Sequence, residues 1–161
     1  PVLIPFGVDQ DPHFRITRDI APKINKPKPA LIHNIMIPAL GGPKGKMSAS
    51  NENETIYTTD PPETVKKKIN KYAFSGGQPD IEEHRKKGGN PDIDVSYQYL
   101  RIFFEPDDKK LKQIHDDYKS GKMLTGELKE ILIQKINNFL KSHQEKRESA
   151  KNQLDKFLYK D

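Results

Sequence analysis

Residues 1–21 read PVLIPFGVDQDPHFRITRDIA and predict a strand, a tight turn and a helix in immediate succession. The apolar run at 2–6 has the length of a buried strand. Asp11 can cap a helix, Pro12 suits the first helical turn, and apolar side chains then recur at helical spacing. In an open α/β sheet, ligands bind at the turn that follows the carboxyl end of a strand. The turn at 7–10 is therefore the first candidate for a binding site.

The rest of the chain divides into two parts by pattern. A buried strand followed by a turn is predicted at 30–37, and a stretch rich in glycine, lysine and serine at 40–50 is predicted to be a mobile loop. The pattern is α/β up to about residue 60 and all-helical over 61–161, so the chain is predicted to be mostly helical. Because one or two strands do not make a stable doubly wound layer, we expect more sheet to come from a segment upstream of Pro1.

The helical part shows capping residues before apolar stripes, and glycine or proline after them. We expect Asp94 and Thr125 to cap two of its helices, and we interpret the lysines at 66–71 as a solvated face rather than a contact surface. The predicted core-facing positions are Val65, Ile69, Tyr72, Ala73, Tyr97, Leu100, Phe103, Phe104, Leu111, Ile114, Tyr118, Leu128, Ile131, Leu132, Phe139 and Leu140, with a possible continuation through Leu154, Phe157 and Leu158.

Composition excludes several classes of protein and site. The chain has no cysteine, which excludes disulfides and thiolate metal sites, and no apolar run approaches the roughly 18 residues of a membrane span. The histidines are scattered without ligand spacing, so no metal site held by protein side chains is predicted. The net charge of +5 fits a polyanionic partner without establishing one.

The stretch at 41–50, GGPKGKMSAS, carries the most chemical information. Backbone N–H groups of a glycine-rich loop can approach anionic oxygens closely, lysine offers a point charge to phosphate, and serine adds hydroxyl donors. The stretch is not a Walker A pattern. From its residues alone, a phosphate-binding loop and an ordinary solvated loop both remain open.

Lys46-Met47-Ser48-Ala49-Ser50 resembles the Lys-Met-Ser-Lys-Ser signature of class I aminoacyl-tRNA synthetases, in the form typical of tryptophanyl enzymes. The resemblance implies that this segment closes over the triphosphate of ATP. Lys46 would contact the phosphates and stabilise the pyrophosphate leaving group, supported by Ser48 and Ser50. The backbone near Met47 would lie by the adenine, and Ala49 stands where many class I enzymes carry a second lysine.

Residues 7–10, Gly-Val-Asp-Gln, resemble the Gly-x-Asp-Gln turn of tryptophanyl and tyrosyl enzymes. The resemblance implies that Gly7 and Asp9 lie near the ATP ribose and that Gln10 contacts the polar end of the amino acid. Phe14, one helical turn further on, would line the amino acid pocket. From its spacing alone, Phe14 is equally an ordinary core residue.

Three more stretches, at 9–19, 73–77 and 81–85, resemble the tryptophanyl branch, the last two its eukaryotic and archaeal group. The resemblance covers nearly the whole chain and implies the carboxy-terminal half of such an enzyme. Residues 1–60 would be the end of a Rossmann-like catalytic domain, and residues 61–161 a helical anticodon-binding domain.

The same resemblance implies the substrates tryptophan, tRNA(Trp) and ATP with Mg²⁺ carried in by the nucleotide. It also implies a homodimer when full length, a cytoplasmic location and no membrane association. The chain lacks a His-Ile-Gly-His-type signature, so we expect it to be inactive alone. We further expect the segments at 7–10 and 46–50 to face one nucleotide cleft. A tyrosyl enzyme and a non-catalytic RNA-binding or signalling fragment remain alternatives.

Overall fold

A computed structural model describes residues 2–48 and 50–158, and in 43–46 only the backbone. The chain divides into two compact units, Pro1–Ile37 and Pro38–Asp161. Within the described residues the strands and α-helices are β1 (Leu3–Gly7), α1 (Asp11–Ile20), β2 (Ala30–Asn34), β3 (Pro38–Ala39), β4 (Gly42–Lys46), α2 (Pro62–Tyr72), α3 (Ile81–Lys87), α4 (Val95–Tyr99), α5 (Asp108–Lys119) and α6 (Thr125–Lys151).

The first unit is a strand–helix–strand arrangement. β1 and β2 are parallel neighbours, and the register places Gly7 opposite Asn34 at their carboxyl ends. The core of this unit is Phe6, whose ring centroid lies 4.4 Å from that of Phe14 and 4.7 Å from that of His33. The strand, turn and helix predicted over residues 1–21 are present, but Asp11 is the first residue of α1, and the cap position belongs to Gln10, which makes no side-chain capping hydrogen bond. The prediction that both strands are buried was wrong, because only Phe6 is buried in β1 and no residue of β2 is buried.

The second unit begins with a hairpin where the sequence predicted a mobile loop. β3 and β4 are antiparallel, with Pro38 opposite Lys46 and Ala39 opposite Gly42. The loop prediction was wrong for residues 42–46. It followed from the glycines and proline, which are rare in strands, whereas here pairing with β3 fixes the backbone as a strand.

The helical core forms around α6. α2 packs against it and buries Val65 and Ile69. The buried residues of α6 recur at helical spacing and are Leu128, Leu132, Ile133, Ile136 and Leu140. From Pro62 onward the elements are helical, while the predicted boundary at residue 60 between two functional domains stays a prediction. No helix in the described ranges combines the length and apolarity that a membrane crossing needs.

Some predicted core positions are exposed. Residues 100–104 form a π-helix in which the amide of Glu105 donates to the carbonyl of Leu100 at 2.8 Å. The wider turn breaks the expected spacing and leaves Phe103 57% exposed. Phe139 is 56% exposed, on the edge of the stripe of α6. Beyond Lys151 the chain leaves the helix, so the predicted continuation was wrong; its three members, Leu154, Phe157 and Leu158, are exposed.

Candidate functional site

The turn at 7–10 lies at the carboxyl edge of the parallel strand pair. β1 ends at Gly7, a short 3-10 helix spans Val8–Gln10, and α1 begins at once. A Cβ atom on Gly7 would lie 2.8 Å from Oδ1 of Asp9 and 3.0 Å from Sδ of Met36. A side chain at position 7 would therefore displace those of Asp9 and Met36, and the turn is located where α/β sheets bind ligands.

Two polar side chains of this turn face solvent together. Nε2 of Gln10 donates to Oδ2 of Asp9 at 3.3 Å, and both residues are exposed. The next carboxylate, Asp11, is engaged within the unit: it accepts from Nε of Arg15 at 2.5 Å and lies 3.4 Å from Nε2 of His33. Asp9 and Gln10 thus expose polar groups at the strand end, whereas Asp11 is held by contacts within the unit.

Phe14 is half-buried against Phe6. This contact places its ring in the core of the first unit. The role of lining an amino acid pocket stays a prediction.

The serine-bearing segment follows β4 directly. Lys46 is the last residue of β4, where its backbone pairs with Pro38, and its side chain lies outside the described atoms. Met47 is half-buried, whereas Ser48 and Ser50 are exposed. Ala49 lies outside the described residues.

The two serines meet at the start of this segment. Oγ of Ser48 lies 3.3 Å from Oγ of Ser50 and accepts from the Ser50 amide at 3.4 Å. The structure therefore brings two of the predicted site residues together as an exposed pair of hydroxyl groups, which can donate to an anionic ligand.

A chain of hydrogen bonds ties the serine segment to α2. Oγ1 of Thr55, which is buried, donates to the carbonyl of Ser48 at 2.6 Å. The carbonyl of Thr55 accepts from Nζ of Lys68 at 2.8 Å, and the same Nζ lies 2.7 Å from Oδ2 of Asp60. That carboxylate also accepts from the Tyr57 amide at 3.0 Å.

Other contacts fix both ends of this stretch. Nε2 of Gln144, on α6, donates to the carbonyls of Thr58 and Asp60 at 2.9 and 3.2 Å. The amide of the fully buried Leu40 donates to the Glu54 carbonyl at 3.2 Å. The segment after the serines is consequently clamped by two helices of its own unit.

Sequence reasoning missed Lys68. Its side chain is 12% exposed and held in place, whereas its neighbours Lys66, Lys67 and Lys71 are exposed as predicted. The available signal was its place on the helix, since Lys68 follows Val65 by three residues on the face that packs inward.

The stretch at 73–77 has a structural role in the helical core. The fully buried carboxylate of Asp94 accepts from the amide of Gly76 at 2.9 Å and from the hydroxyl of Tyr118 at 2.8 Å. Burial, with the negative charge of Asp94, raises the pKa of Tyr118 to about 12. Asp94 caps α4 as predicted, by accepting from the Ser96 amide at 2.9 Å.

The predicted cap of α6 was wrong. Oγ1 of Thr125 lies 3.2 Å from the hydroxyl oxygen of Tyr118 and 3.2 Å from Oγ of Ser75, at hydrogen-bond distance from both. The capping position belongs to Leu124, whose amide donates to the Glu127 carboxylate at 2.7 Å. The hydrogen bonds to Tyr118 and Ser75 occupy the Thr125 hydroxyl, which therefore does not cap the helix.

Each of the two predicted site segments is described within its own unit, and their facing one cleft stays a prediction. Among the described residues, no group of three or more His, Asp or Glu side chains could hold a metal ion. Mg²⁺ would in any case keep mainly phosphate and water ligands when it binds with a nucleotide.

Residues 1–141 match the family described as tRNA synthetases class I (W and Y). The chain is 60% identical over 157 residues to a tryptophan–tRNA ligase of Sulfurisphaera tokodaii, covering 98% of this chain and 41% of that protein. It is 52% identical to the cytoplasmic tryptophan–tRNA ligase of Saccharomyces cerevisiae, covering 98% and 37%. A crystal structure of a product-bound parasite tRNA synthetase superposes with a TM-score of 0.88 and 52% identity, covering 92% and 40%.

Proposed function

Because the chain belongs to the class I tRNA synthetases of the tryptophanyl and tyrosyl group, we propose that it is the carboxy-terminal part of a tryptophan–tRNA ligase. The observation that carries this proposal is the 60% and 52% identity to tryptophan–tRNA ligases of an archaeon and a yeast. The chain spans about two fifths of the length of these relatives. The activity proposed is therefore that of a longer protein to which this chain contributes.

The reaction has two steps. A carboxylate oxygen of tryptophan attacks the α-phosphorus of ATP, the bond from that phosphorus to the β-phosphate oxygen breaks, and tryptophanyl-adenylate and pyrophosphate result. A ribose hydroxyl at the end of the tRNA then attacks the adenylate carbonyl, and AMP leaves. Negative charge grows on the departing pyrophosphate in the first step, so cationic and hydroxyl donors placed there lower the barrier.

Lys46, Ser48 and Ser50 are the catalytic residues in this proposal. Lys46 supplies positive charge to the phosphates, and the adjacent hydroxyl groups of the serines, 3.3 Å apart, donate to phosphate oxygens. Met47 and Ala49 contribute backbone to the adenine and phosphate contacts. A segment whose contacts tighten in the transition state accelerates the reaction more than one that only binds ATP.

The turn after β1 supplies contacts to the ribose and to the amino acid. Gly7, where a side chain would displace those of Asp9 and Met36, allows the backbone to approach the ribose, and Asp9 accepts from ribose hydroxyls. Gln10 binds the polar end of tryptophan, and Phe14 lines its pocket. The exposure of the Asp9–Gln10 pair supports these roles.

The partners follow from the same proposal. The helical residues 61–161 bind the anticodon region of tRNA(Trp), which the net charge of +5 favours. ATP brings Mg²⁺ with it, residues 1–60 complete the catalytic domain, and the full-length enzyme is a homodimer. The word cytoplasmic in the name of the yeast relative supports a cytoplasmic location.

The test is amino acid-dependent exchange of pyrophosphate into ATP by the full-length protein, with tryptophan and tyrosine compared. In Lys46→Ala we expect the single-turnover rate of adenylate formation to fall by roughly 100-fold, with tryptophan binding little changed. Lys67→Ala, at an exposed lysine, is the matched control and should match wild type.

Each alternative gives a different result in this assay. An unchanged single-turnover rate in Lys46→Ala would contradict the role of that lysine. Exchange with tyrosine but not tryptophan would reassign the protein to the tyrosyl enzymes. Exchange with neither amino acid would favour the non-catalytic RNA-binding fragment.

A further inference from the structure

Lys68 makes all its recorded contacts with one short segment, residues 55–60. Its ammonium group donates to the Thr55 carbonyl and to the Asp60 carboxylate, and it lies 4.6 Å from the ring centroid of Tyr57. An ammonium group has three N–H bonds, and these three partners can use all of them. Because the side chains of Lys68 and Asp60 are only 12% and 11% exposed, water competes weakly for the pair.

This segment continues directly from the serines of the candidate site. Thr55 connects the two, since its carbonyl accepts from Lys68 while its hydroxyl donates to the Ser48 carbonyl at 2.6 Å. Two hydrogen bonds therefore separate a cation on α2 from the backbone of Ser48. Loss of the Lys68 ammonium group removes the hydrogen bond to the Thr55 carbonyl. It also leaves the largely buried carboxylate of Asp60 without its cation.

We propose that Lys68 is a positioning residue for adenylate formation: through Thr55 and Asp60 it holds the base of the segment that carries Ser48, without itself touching the nucleotide. This role rests on the proposed function. Adenylate formation depends on the geometry of the phosphate contacts, and a misplacement of about 1 Å can cost roughly 100-fold in rate. The contacts of Lys68 restrict displacement of the segment that carries Ser48.

The first measurement tests how firmly the segment at 51–60 is held, independently of enzymatic activity. Hydrogen exchange of the backbone amides at 51–60 is compared among wild type, Lys68→Met, and Lys67→Met as the matched control on the same helix. We expect exchange at Glu54 and Tyr57 to be roughly tenfold faster in Lys68→Met and unchanged in Lys67→Met. Equal protection in all three proteins would overturn the proposal.

The second measurement reads the reaction in the full-length protein. We expect Lys68→Met to lower kcat for pyrophosphate exchange by roughly 10- to 100-fold, with little change in the KM for tryptophan. Lys68→Arg keeps a cation and its donors and should recover part of that loss. A kcat equal to wild type in a protein with faster exchange of the segment would overturn the proposal.

Two controls keep the outcomes separate. Lys68→Met leaves a carboxylate without its cation, so the double variant Lys68→Met/Asp60→Asn tests the same contact without that charge. If it folds with wild-type cooperativity and kcat returns to wild type, the positioning role is wrong. Wild-type protein that exchanges pyrophosphate with neither amino acid would refute the proposed function, and hydrogen exchange alone would then decide whether Lys68 holds the segment.

Discussion

The hydroxyl of Tyr118 donates a 2.8 Å hydrogen bond to the carboxylate of Asp94, and both side chains are completely buried. The same carboxylate accepts from the amides of Gly76 and Ser96, at 2.9 Å each. One anion thus joins α5 to the start of α4 and to the glycine-containing turn before α3. Its cost of burial is offset by these donors, because a buried charge needs several hydrogen bonds.

Removal of one donor should therefore weaken the helical core. We expect Tyr118→Phe to lower the free energy of unfolding by about 1–3 kcal/mol, because Asp94 then lacks a buried donor. Denaturant unfolding followed by circular dichroism measures this free energy. Tyr72→Phe, at a half-exposed tyrosine of α2, is the control and should stay within about 0.5 kcal/mol of wild type. Equal effects of the two substitutions would contradict the importance of this bond.

The same tyrosine should make the fold sensitive to alkali. Burial raises the pKa of Tyr118 to about 12, so the protonated phenol is favoured by folding. Its contribution to stability is complete below the unfolded value near 10 and is lost as pH rises from there to about 12. We expect wild type to lose stability across this window, on the order of 2 kcal/mol more than Tyr118→Phe. Denaturant unfolding at pH 9 to 12 checks this, and parallel curves would refute it.

A second buried carboxylate, Glu105, should make the fold sensitive to acid. Oε2 of Glu105 is 2.8 Å from Nζ of Lys135, and its Oε1 accepts from the Asp107 amide. The hydrogen bond from Lys135 lowers the pKa of Glu105. A carboxylate with a lowered pKa contributes stability above its unfolded value, near 4.5, and loses that contribution as pH falls through the folded value.

We accordingly expect Glu105→Gln to reduce the free energy of unfolding at pH 7 by about 1–3 kcal/mol. Its stability should also fall less steeply than that of wild type below pH 4.5. Asp116→Asn, which breaks the exposed pair with Lys112, serves as the control and should change little. If both variants behaved alike at pH 7, the buried position of Glu105 would not matter.

Two glycines should respond in opposite directions to the same substitution. Gly88 ends α3 with a φ of 72°, and a Cβ atom there would lie 1.8 Å from the Lys119 carbonyl oxygen. We expect Gly88→Ala to cost at least about 3 kcal/mol. A Cβ atom on Gly126, within α6, would meet nothing within 4 Å, so Gly126→Ala should be neutral or stabilise by up to about 1 kcal/mol. Thermal unfolding of both variants is the measurement, and a tolerated Gly88→Ala would show that the turn can move.

Local rules predicted the parts of the fold that depend on neighbours in sequence. The strand–turn–helix at the start of the chain and the cap at Asp94 both follow from adjacent residues, and both are present. Periodicity also identified most of the stripe of α6, including Leu128 and Leu140. The motif residues at 7–10 could be placed correctly at a strand end for the same reason.

The missed features depend on pairing and packing that composition and a fixed helical period do not describe. Gly42–Lys46 is a strand because Pro38 and Ala39 pair with it, which composition does not encode. Lys68 differs from its exposed neighbours because it lies on the inward face of α2, where Asp60 and Thr55 lie against it. Phe103 is exposed because a π-helix shifts the phase of the turn, and a fixed period of 3.6 residues does not anticipate that shift.

The two-stranded sheet of the first unit has a practical consequence. Among the described residues, β1 and β2 pair only with each other, so each presents one open edge. Leu3 and Ile32 on these strands are 58% and 46% exposed. An apolar open edge is a template for strand addition by another polypeptide. We expect this chain, handled in isolation, to aggregate as its concentration rises, and light scattering across a dilution series would detect it.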